Sequence, residues 1–137
     1  MFPSHDPELI NLKLLPTYAY WRYYVFGATL EKHWDRPACE ISLSVCVKKY
    51  DKWPLIVEKK SFELEEGDAL LYAGTEQMHY RPGVYKGKGI AQIFLHYVNK
   101  NGSFVHHQYD NFMKTTGLKE SNNDKEILRR IRGRPCT

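Results

Sequence analysis

The chain has 137 residues, a length that supports one hydrophobic core, so we expect a single domain over residues 1–137. Its formal net charge is +4, yet residues 1–124 carry 15 basic and 15 acidic side chains while residues 125–137 carry 5 and 1. The positive excess therefore lies in a C-terminal tail, about residues 119–137, and the balanced body argues against a nucleic-acid-binding surface. Because no window approaches the roughly 20 apolar residues that cross a bilayer and the first residues lack a signal-peptide pattern, we expect a soluble, intracellular, cytoplasmic protein without a membrane partner.

Apolar and polar residues alternate with a period of two through the middle of the chain, where aromatic and β-branched residues are frequent. Gly and Pro residues separate these runs. Several short strands at this spacing predict a mostly β domain, a double-sheet sandwich or barrel with its core at about residues 16–108. After residue 110, residues 123–132 are predicted to form a short helix with a basic end. The predicted strands are 17–26, 41–48, 54–60, 68–73 and 89–98, with a short one near Phe104.

The alternation is cleanest in the run 41–48. Ile41, Leu43, Val45 and Val47 share one face of that strand, and Ser42, Ser44, Cys46 and Lys48 share the other. The apolar face is therefore expected to pack against a hydrophobic core, and the polar face to lie against polar groups.

Three cysteines, Cys39, Cys46 and Cys136, include no Cys-x-x-Cys pair. Their odd number makes a poor disulfide framework and a poor zinc site. We expect them to be reduced, structural thiols.

The segment that carries His33 and Asp35 is the most informative short motif. On an extended strand these two side chains point to the same side, roughly 7 Å apart along the backbone. The imidazole and the carboxylate can therefore bind one metal ion together. Two histidines and one carboxylate leave open coordination positions that suit non-haem iron(II), and His79, which follows a predicted strand and turn, is the candidate for the third ligand. Taken alone, a His-x-Asp pair is more often a surface or hydrogen-bonded pair.

Further features surround this pair in a fixed order along about residues 18–98: Tyr23, Gly27, His33-x-Asp35, Trp53, Gly67-Asp68-x-Leu70-Leu71, His79 and Lys88. Together they resemble the core of the 2-oxoglutarate and iron(II)-dependent oxygenases, most of all their prolyl-4-hydroxylase-like branch. The resemblance implies a double-stranded β-helix, or jelly-roll, and iron(II) ligands at His33, Asp35 and His79. It also implies that 2-oxoglutarate and O2 are cosubstrates of a dioxygenase that hydroxylates a C–H bond and releases succinate and CO2. The branch implies a peptidyl proline as the substrate.

A basic residue should anchor the cosubstrate, because 2-oxoglutarate is a dianion and its far carboxylate, buried in a barrel, needs a cation. The resemblance places this cation about ten positions after the distal histidine, which favours Lys88, nine residues after His79. The charges of iron(II), Asp35, the cosubstrate and Lys88 would then cancel. Arg81 is the second candidate and Lys48 the third, and each is otherwise a solvated surface cation.

Other residues are expected around the pocket. Gln92 shares the face of its strand with Lys88 and should line the pocket, and Tyr23 matches the position from which the family supplies a hydroxyl to the cosubstrate. Arg36 is a candidate to contact a small-molecule or peptide substrate at the pocket mouth, although pairing with Glu40 competes with that role. Trp34 is a candidate at the rim, with packing as the alternative.

Three other readings stay open. A jelly-roll binding module would not need His33, Asp35 and His79 to converge. A cupin-type metalloprotein that does not use 2-oxoglutarate would employ more histidines around the metal, whereas His96 is expected to be packed and hydrogen-bonded. An oxygenase that acts on nucleic acid has only the basic tail in its favour.

Only about sixteen residues precede the first predicted strand. Fuller members of the family carry helices there that buttress one sheet. With this buttress missing, a second copy is expected to cover the exposed sheet as a homodimer.

Overall fold

The computed structural model describes residue 9 and residues 11–109. The predicted helix at 123–132 and the basic tail at 119–137 lie outside the described residues. Short 3-10 segments cover Pro37–Cys39 and Val105–His107. The strands are β1 (Leu14–Tyr24), β2 (Leu30–His33), β3 (Ile41–Lys49), β4 (Leu55–Val57), β5 (Lys60–Phe62), β6 (Ala69–Tyr72), β7 (His79–Arg81) and β8 (Ile90–Asn99).

The strands form two four-stranded antiparallel sheets. The first sheet has the order β1-β8-β3-β6 and the second has the order β2-β7-β4-β5. Each strand of the first sheet thus has its sequence neighbours in the second, which is the double-stranded β-helix, or jelly-roll, that was predicted. The prediction of a strand near Phe104 is wrong, because the chain forms a 3-10 turn there.

The serine-rich face of β3 forms the interior of the barrel. Ser42, Ser44 and Cys46 are buried, whereas Leu43 and Val45 are only half-buried on the outside. The register places the three inward residues opposite His96, Phe94 and Gln92 of β8. The barrel interior is therefore partly polar, as a pocket for a polar ligand requires.

The apolar core lies between the two sheets at one end of the barrel. Trp53 is its centre, with its ring edge-on to Tyr24 at 5.3 Å and 5.2 Å from the ring of Tyr85. The indole Nε1 donates a hydrogen bond to the Pro82 carbonyl at 2.7 Å. Leu55, Val57 and Leu70 complete the cluster with other buried residues. This packing holds the ends of β1, β4 and β7 together.

Two of the three cysteines fall in the described part of the chain. Cys46 is a free, buried thiol. Cys39 is disulfide-bonded, so the expectation of a reduced thiol is wrong for this residue. Among residues 9 and 11–109, no helix is long and apolar enough to cross a membrane.

Candidate metal centre

Three predicted ligands meet at one edge of the second sheet. His33 ends β2 and lies directly opposite His79, which begins β7. Asp35 follows two residues after His33, and its Oδ1 lies 3.3 Å from Nε2 of His33 and 3.2 Å from Nε2 of His79. One potential ligand atom from each of the three residues lies within 4.8 Å of the others. The fold thus brings together a pair and a single residue that are more than 40 positions apart.

Backbone carbonyls orient both imidazole rings. His33 Nδ1 lies 2.6 Å from the Glu31 carbonyl, and His79 Nδ1 lies 2.8 Å from the Gln77 carbonyl. A carbonyl only accepts hydrogen bonds, so Nδ1 of each ring is the donor and Nε2 is the atom that faces Asp35. Such outer contacts set the tautomer and orientation of metal-binding histidines.

The Asp35 carboxylate lacks the donors that a buried anion needs. Both of its oxygens are fully buried, and neither has a hydrogen-bond partner among the described residues. A buried carboxylate that accepts no hydrogen bond is costly, and a cation among the three side chains would remove that cost. Metal–ligand bonds of roughly 2.0–2.2 Å put adjacent octahedral ligand atoms about 3 Å apart, close to the two distances measured here. The donor set therefore fits a metal ion.

Gly74 leaves the space that the carboxylate occupies. Its carbonyl accepts a hydrogen bond from the Asp35 N–H at 2.9 Å. A Cβ atom at position 74 would collide with the Asp35 carboxylate and with the Cys39 carbonyl. Position 74 therefore requires glycine, because a side chain there would overlap the Asp35 carboxylate.

A buried arginine lies farther along the same strand as His79. The guanidinium carbon of Arg81 lies 5.1 Å from the ring centroid of Tyr24 and 5.4 Å from that of Trp53. Its Nη1 donates to the Trp53 carbonyl, while its Nε has no partner within residues 11–109. Since side chains two apart on a strand point to the same side, His79 and Arg81 face the interior together.

Two tyrosines bring hydroxyl groups into the same interior. Tyr72 packs its ring 4.8 Å from that of His79. Burial, and then the Asp35 carboxylate, raise the pKa of the Tyr72 hydroxyl well above its usual range, and the Arg81 charge opposes them. The hydroxyl is therefore a neutral donor. The hydroxyls of Tyr72 and Tyr24 are buried, and neither has a hydrogen-bond partner in the described part of the chain.

Three residues predicted to bind the cosubstrate lie outside the barrel. Lys88 is exposed in the loop before β8, where its backbone N–H donates to the Asp51 carboxylate at 2.6 Å. Tyr23 is 43% exposed and donates its hydroxyl to the Lys88 carbonyl at 3.5 Å. Lys48 is exposed and pairs with Glu66 at 3.4 Å. All three side chains are thus exposed and not in the interior with His79, and their roles in binding 2-oxoglutarate stay predictions.

These three positions follow from where each strand begins and from which of its two faces points into the barrel. β8 starts at Ile90, so Lys88 belongs to the preceding turn. On β1 the buried residue of the tyrosine pair is Tyr24, and Tyr23 points outwards. The alternation alone did not point to Tyr24 and Tyr72, because a period of two does not show which face is inside.

Gln92 lies on the inner face of β8, as expected. It is 2% exposed, and its Oε1 has no hydrogen-bond partner among residues 11–109. His96 is buried two positions beyond Phe94 on the same face, with its Nδ1 2.8 Å from the Ser42 hydroxyl oxygen. Burial lowers the pKa of His96 to about 4. This histidine is packed and hydrogen-bonded, as expected.

The two predicted substrate contacts lie on either side of the ligand Asp35. Trp34 is 61% exposed and lines an open groove of about 710 Å³ together with Glu58 and Met78. Arg36 is buried, with its guanidinium 5.0 Å from the ring centroid of Tyr18. Their roles in substrate binding stay predictions.

No protein-family model matches the chain, and none of the curated proteins matches it. Among solved structures, it is similar to an oxidoreductase of the 2OG-Fe(II) oxygenase family from Burkholderia pseudomallei (12% identity, TM-score 0.49, covering 66% of this chain and 48% of the other). It is also similar to KdgF from Halomonas sp. (17%, TM-score 0.42, 56% and 66%). A third similar structure is a Cupin 2 conserved barrel domain protein from Salinispora arenicola CNS-205 (11%, TM-score 0.46, 72% and 82%).

The alignment with the first of these structures spans about half the length of that chain. All three TM-scores are below 0.5. The function proposed below therefore depends on the residues of the site and not on these similarities.

Proposed function

We propose that the chain is an iron(II)- and 2-oxoglutarate-dependent dioxygenase. The observation that carries the proposal is the convergence of the Nε2 atoms of His33 and His79 on the buried Asp35 carboxylate, whose oxygens have no hydrogen-bond partner among the described residues. These three residues would hold iron(II) and leave the remaining positions for 2-oxoglutarate and O2. Bound there, iron(II) supplies the coupling of 2-oxoglutarate decarboxylation to hydroxylation of a C–H bond.

Arg81 is the proposed anchor for the far carboxylate of 2-oxoglutarate. It is buried, positively charged and has an unpartnered Nε within the described residues. Two residues of a strand span roughly 7 Å, so His79 and Arg81 are spaced for the two ends of a short dicarboxylate. The charges of iron(II), Asp35, 2-oxoglutarate and Arg81 cancel, which limits the cost of burying them.

Neutral donors surround the proposed cosubstrate position. The hydroxyls of Tyr24 and Tyr72 are buried without partners among the described residues, and the Gln92 amide lies on the facing strand β8. Buried hydroxyl groups without partners lower the stability of the ligand-free chain, and they can donate hydrogen bonds to the carboxylates of a bound dianion. They would orient the dianion and keep bulk water from the site.

Two variants test the metal site. Anaerobic titration with iron(II) and 2-oxoglutarate should produce a weak visible charge-transfer band, and turnover in air should release succinate. His33→Ala and Asp35→Ala should abolish both signals, whereas His106→Ala, in an exposed 3-10 turn, should leave them unchanged. Absence of the band and of succinate in the unaltered protein would contradict the proposal.

The same titration separates the alternatives. Iron binding without the band and without succinate would support a cupin-type metalloprotein, and absence of iron binding would support a jelly-roll binding module. The finer substrate proposal, a peptidyl proline, follows from the resemblance to the prolyl-4-hydroxylase-like branch. It is tested by mass spectrometry of proline-containing peptides against matched peptides in which alanine replaces proline.

A matched pair of variants tests the anchor. Arg81→Met should weaken 2-oxoglutarate binding roughly 10- to 100-fold, because hydrogen bonds to a charged group contribute about 1.5–3 kcal/mol. Lys88→Met should leave the affinity unchanged, since the Lys88 side chain is exposed. If Arg81→Met does not fold, Arg81→Lys keeps the charge and should still weaken binding through loss of the planar donor pair. Loss of affinity in Lys88→Met alone would return the role to Lys88.

A further inference from the structure

The connection between β6 and β7 contacts two of the three proposed metal ligands. It covers residues 73–78 and passes from the first sheet to the second. Near its start, the Gly74 carbonyl accepts a hydrogen bond from the Asp35 N–H at 2.9 Å. Near its end, the Gln77 carbonyl lies 2.8 Å from Nδ1 of His79. The conformation of this connection therefore sets the positions of both Asp35 and His79.

The Gln77 side chain closes this connection on itself. Its Oε1 accepts a hydrogen bond from the Ala73 N–H at 2.8 Å, and the Gln77 N–H donates back to the Ala73 carbonyl, also at 2.8 Å. Because a backbone N–H only donates, the amide oxygen of Gln77, and not its amide nitrogen, faces Ala73. A reciprocal pair of hydrogen bonds thus joins the two ends of the turn.

Both partners of this pair are buried. Gln77 is 8% exposed and Ala73 is 4% exposed. Without the side-chain acceptor, the buried N–H of Ala73 would lose its hydrogen bond, and such a loss is costly away from water. The turn would then rearrange to satisfy this N–H, and the carbonyls of Gly74 and Gln77 would move with it.

We propose that Gln77 is a positioning residue of the metal centre. Its side chain fixes the turn, and the turn holds Asp35 and His79 in place for a metal ion. Removing a hydrogen-bond partner of a metal ligand typically lowers metal affinity 10- to 100-fold, and Gln77 acts one step further out, so we expect a loss of about tenfold. The inference rests on the metal site of the proposed function.

Cobalt(II) titration of the chelator-treated chain, in competition with a chromophoric chelator, tests the proposal. Cobalt(II) stands in for iron(II), because a given site generally binds it more tightly, and its visible absorption depends on the ligand geometry. Gln77→Met keeps the length of the side chain and removes the acceptor, so it should lower cobalt(II) affinity about tenfold and alter the absorption band. Gln77→Glu restores an acceptor oxygen with the same reach and should bind cobalt(II) at least as tightly as the unaltered chain.

Glu76→Ala is the matched control. Glu76 precedes Gln77 in the same turn, but its side chain is exposed. Its removal should leave the affinity and the band unchanged, because salt screens an exposed charge. If far-UV circular dichroism shows that Gln77→Met does not fold, Gln77→Asn takes its place. That variant keeps the amide but is one carbon too short to reach the Ala73 N–H, so it should show the same loss.

Two outcomes overturn the role of Gln77. In the first, the variant without the acceptor binds cobalt(II) with the affinity and band of the unaltered chain, and only its stability towards urea is lower. In the second, Gln77→Glu or Glu76→Ala loses as much affinity as Gln77→Met does. Failure of the unaltered chain to bind cobalt(II) would instead contradict the metal site itself, and the role of Gln77 with it.

Discussion

His96 should make the stability of the metal-free chain depend on pH. Its side chain is 1% exposed, and burial is the main cause that lowers its pKa from 6.5 to about 4. The folded state therefore holds a neutral imidazole, whereas the unfolded chain takes up a proton below pH 6.5. The stability that His96 provides is fully present above pH 6.5 and is lost as the pH falls towards 4.

The size of the effect follows from the two pKa values. Each pH unit between them changes the free energy of unfolding by about 1.4 kcal/mol, so the total loss between pH 6.5 and pH 4 is about 3 kcal/mol. That is a large part of the stability of a typical small domain. Replacing the His96 ring also removes its hydrogen bond to Ser42, and this changes the free energy of unfolding by the same amount at every pH. The slope of the free energy of unfolding against pH is therefore the quantity to compare.

Urea unfolding of the chelator-treated protein at several pH values between 7 and 4 measures this slope. His96→Phe should flatten the slope by about 1.4 kcal/mol per pH unit relative to the unaltered chain. His106→Phe replaces an exposed histidine and should leave the slope as it is. Equal slopes for the unaltered chain and His96→Phe would refute the reasoning, and so would a flattened slope in His106→Phe.

Two further predictions concern residues around the proposed pocket. Tyr24→Phe should weaken 2-oxoglutarate binding about tenfold in the anaerobic titration, because it removes a buried donor, whereas Tyr23→Phe should have no effect. Equal effects of the two variants would remove Tyr24 from the site. Gly74→Ala should lower iron(II) affinity roughly 10- to 100-fold by displacing Asp35, whereas Gly67→Ala, at φ 89° but with open space around it, should cost stability and leave metal affinity unchanged. Unchanged metal affinity in Gly74→Ala would show that the ligand tolerates the displacement.

Several strands, the two-sheet architecture and the pair of His33 and Asp35 were predictable from local pattern. A period of two between apolar residues identified most of β1, β3, β6 and β8, because side chains of a strand alternate between two faces. The same rule put His33 and Asp35 on one side of the chain. The structure adds that His79 lies directly opposite His33, which is a matter of pairing between β2 and β7.

Which face of each strand points into the barrel was not predictable. The run 41–48 has one apolar and one polar face, and the polar face with Ser42 and Ser44 turned out to be the interior. The pair Tyr23 and Tyr24 poses the same ambiguity on β1, and the inward residue is Tyr24. Alternation defines two faces without saying which one a second sheet will cover.

The residue types of the site were readable from the chain before any fold was known, and they are two histidines, one carboxylate and several cations in a β domain. The fold was needed to show which of these cations is buried, because burial depends on what packs against a residue from distant parts of the chain. Lys88 carries the charge expected from its position but lies in an exposed turn before β8. Arg81 is enclosed by Tyr24 and Trp53, which come from other segments of the chain.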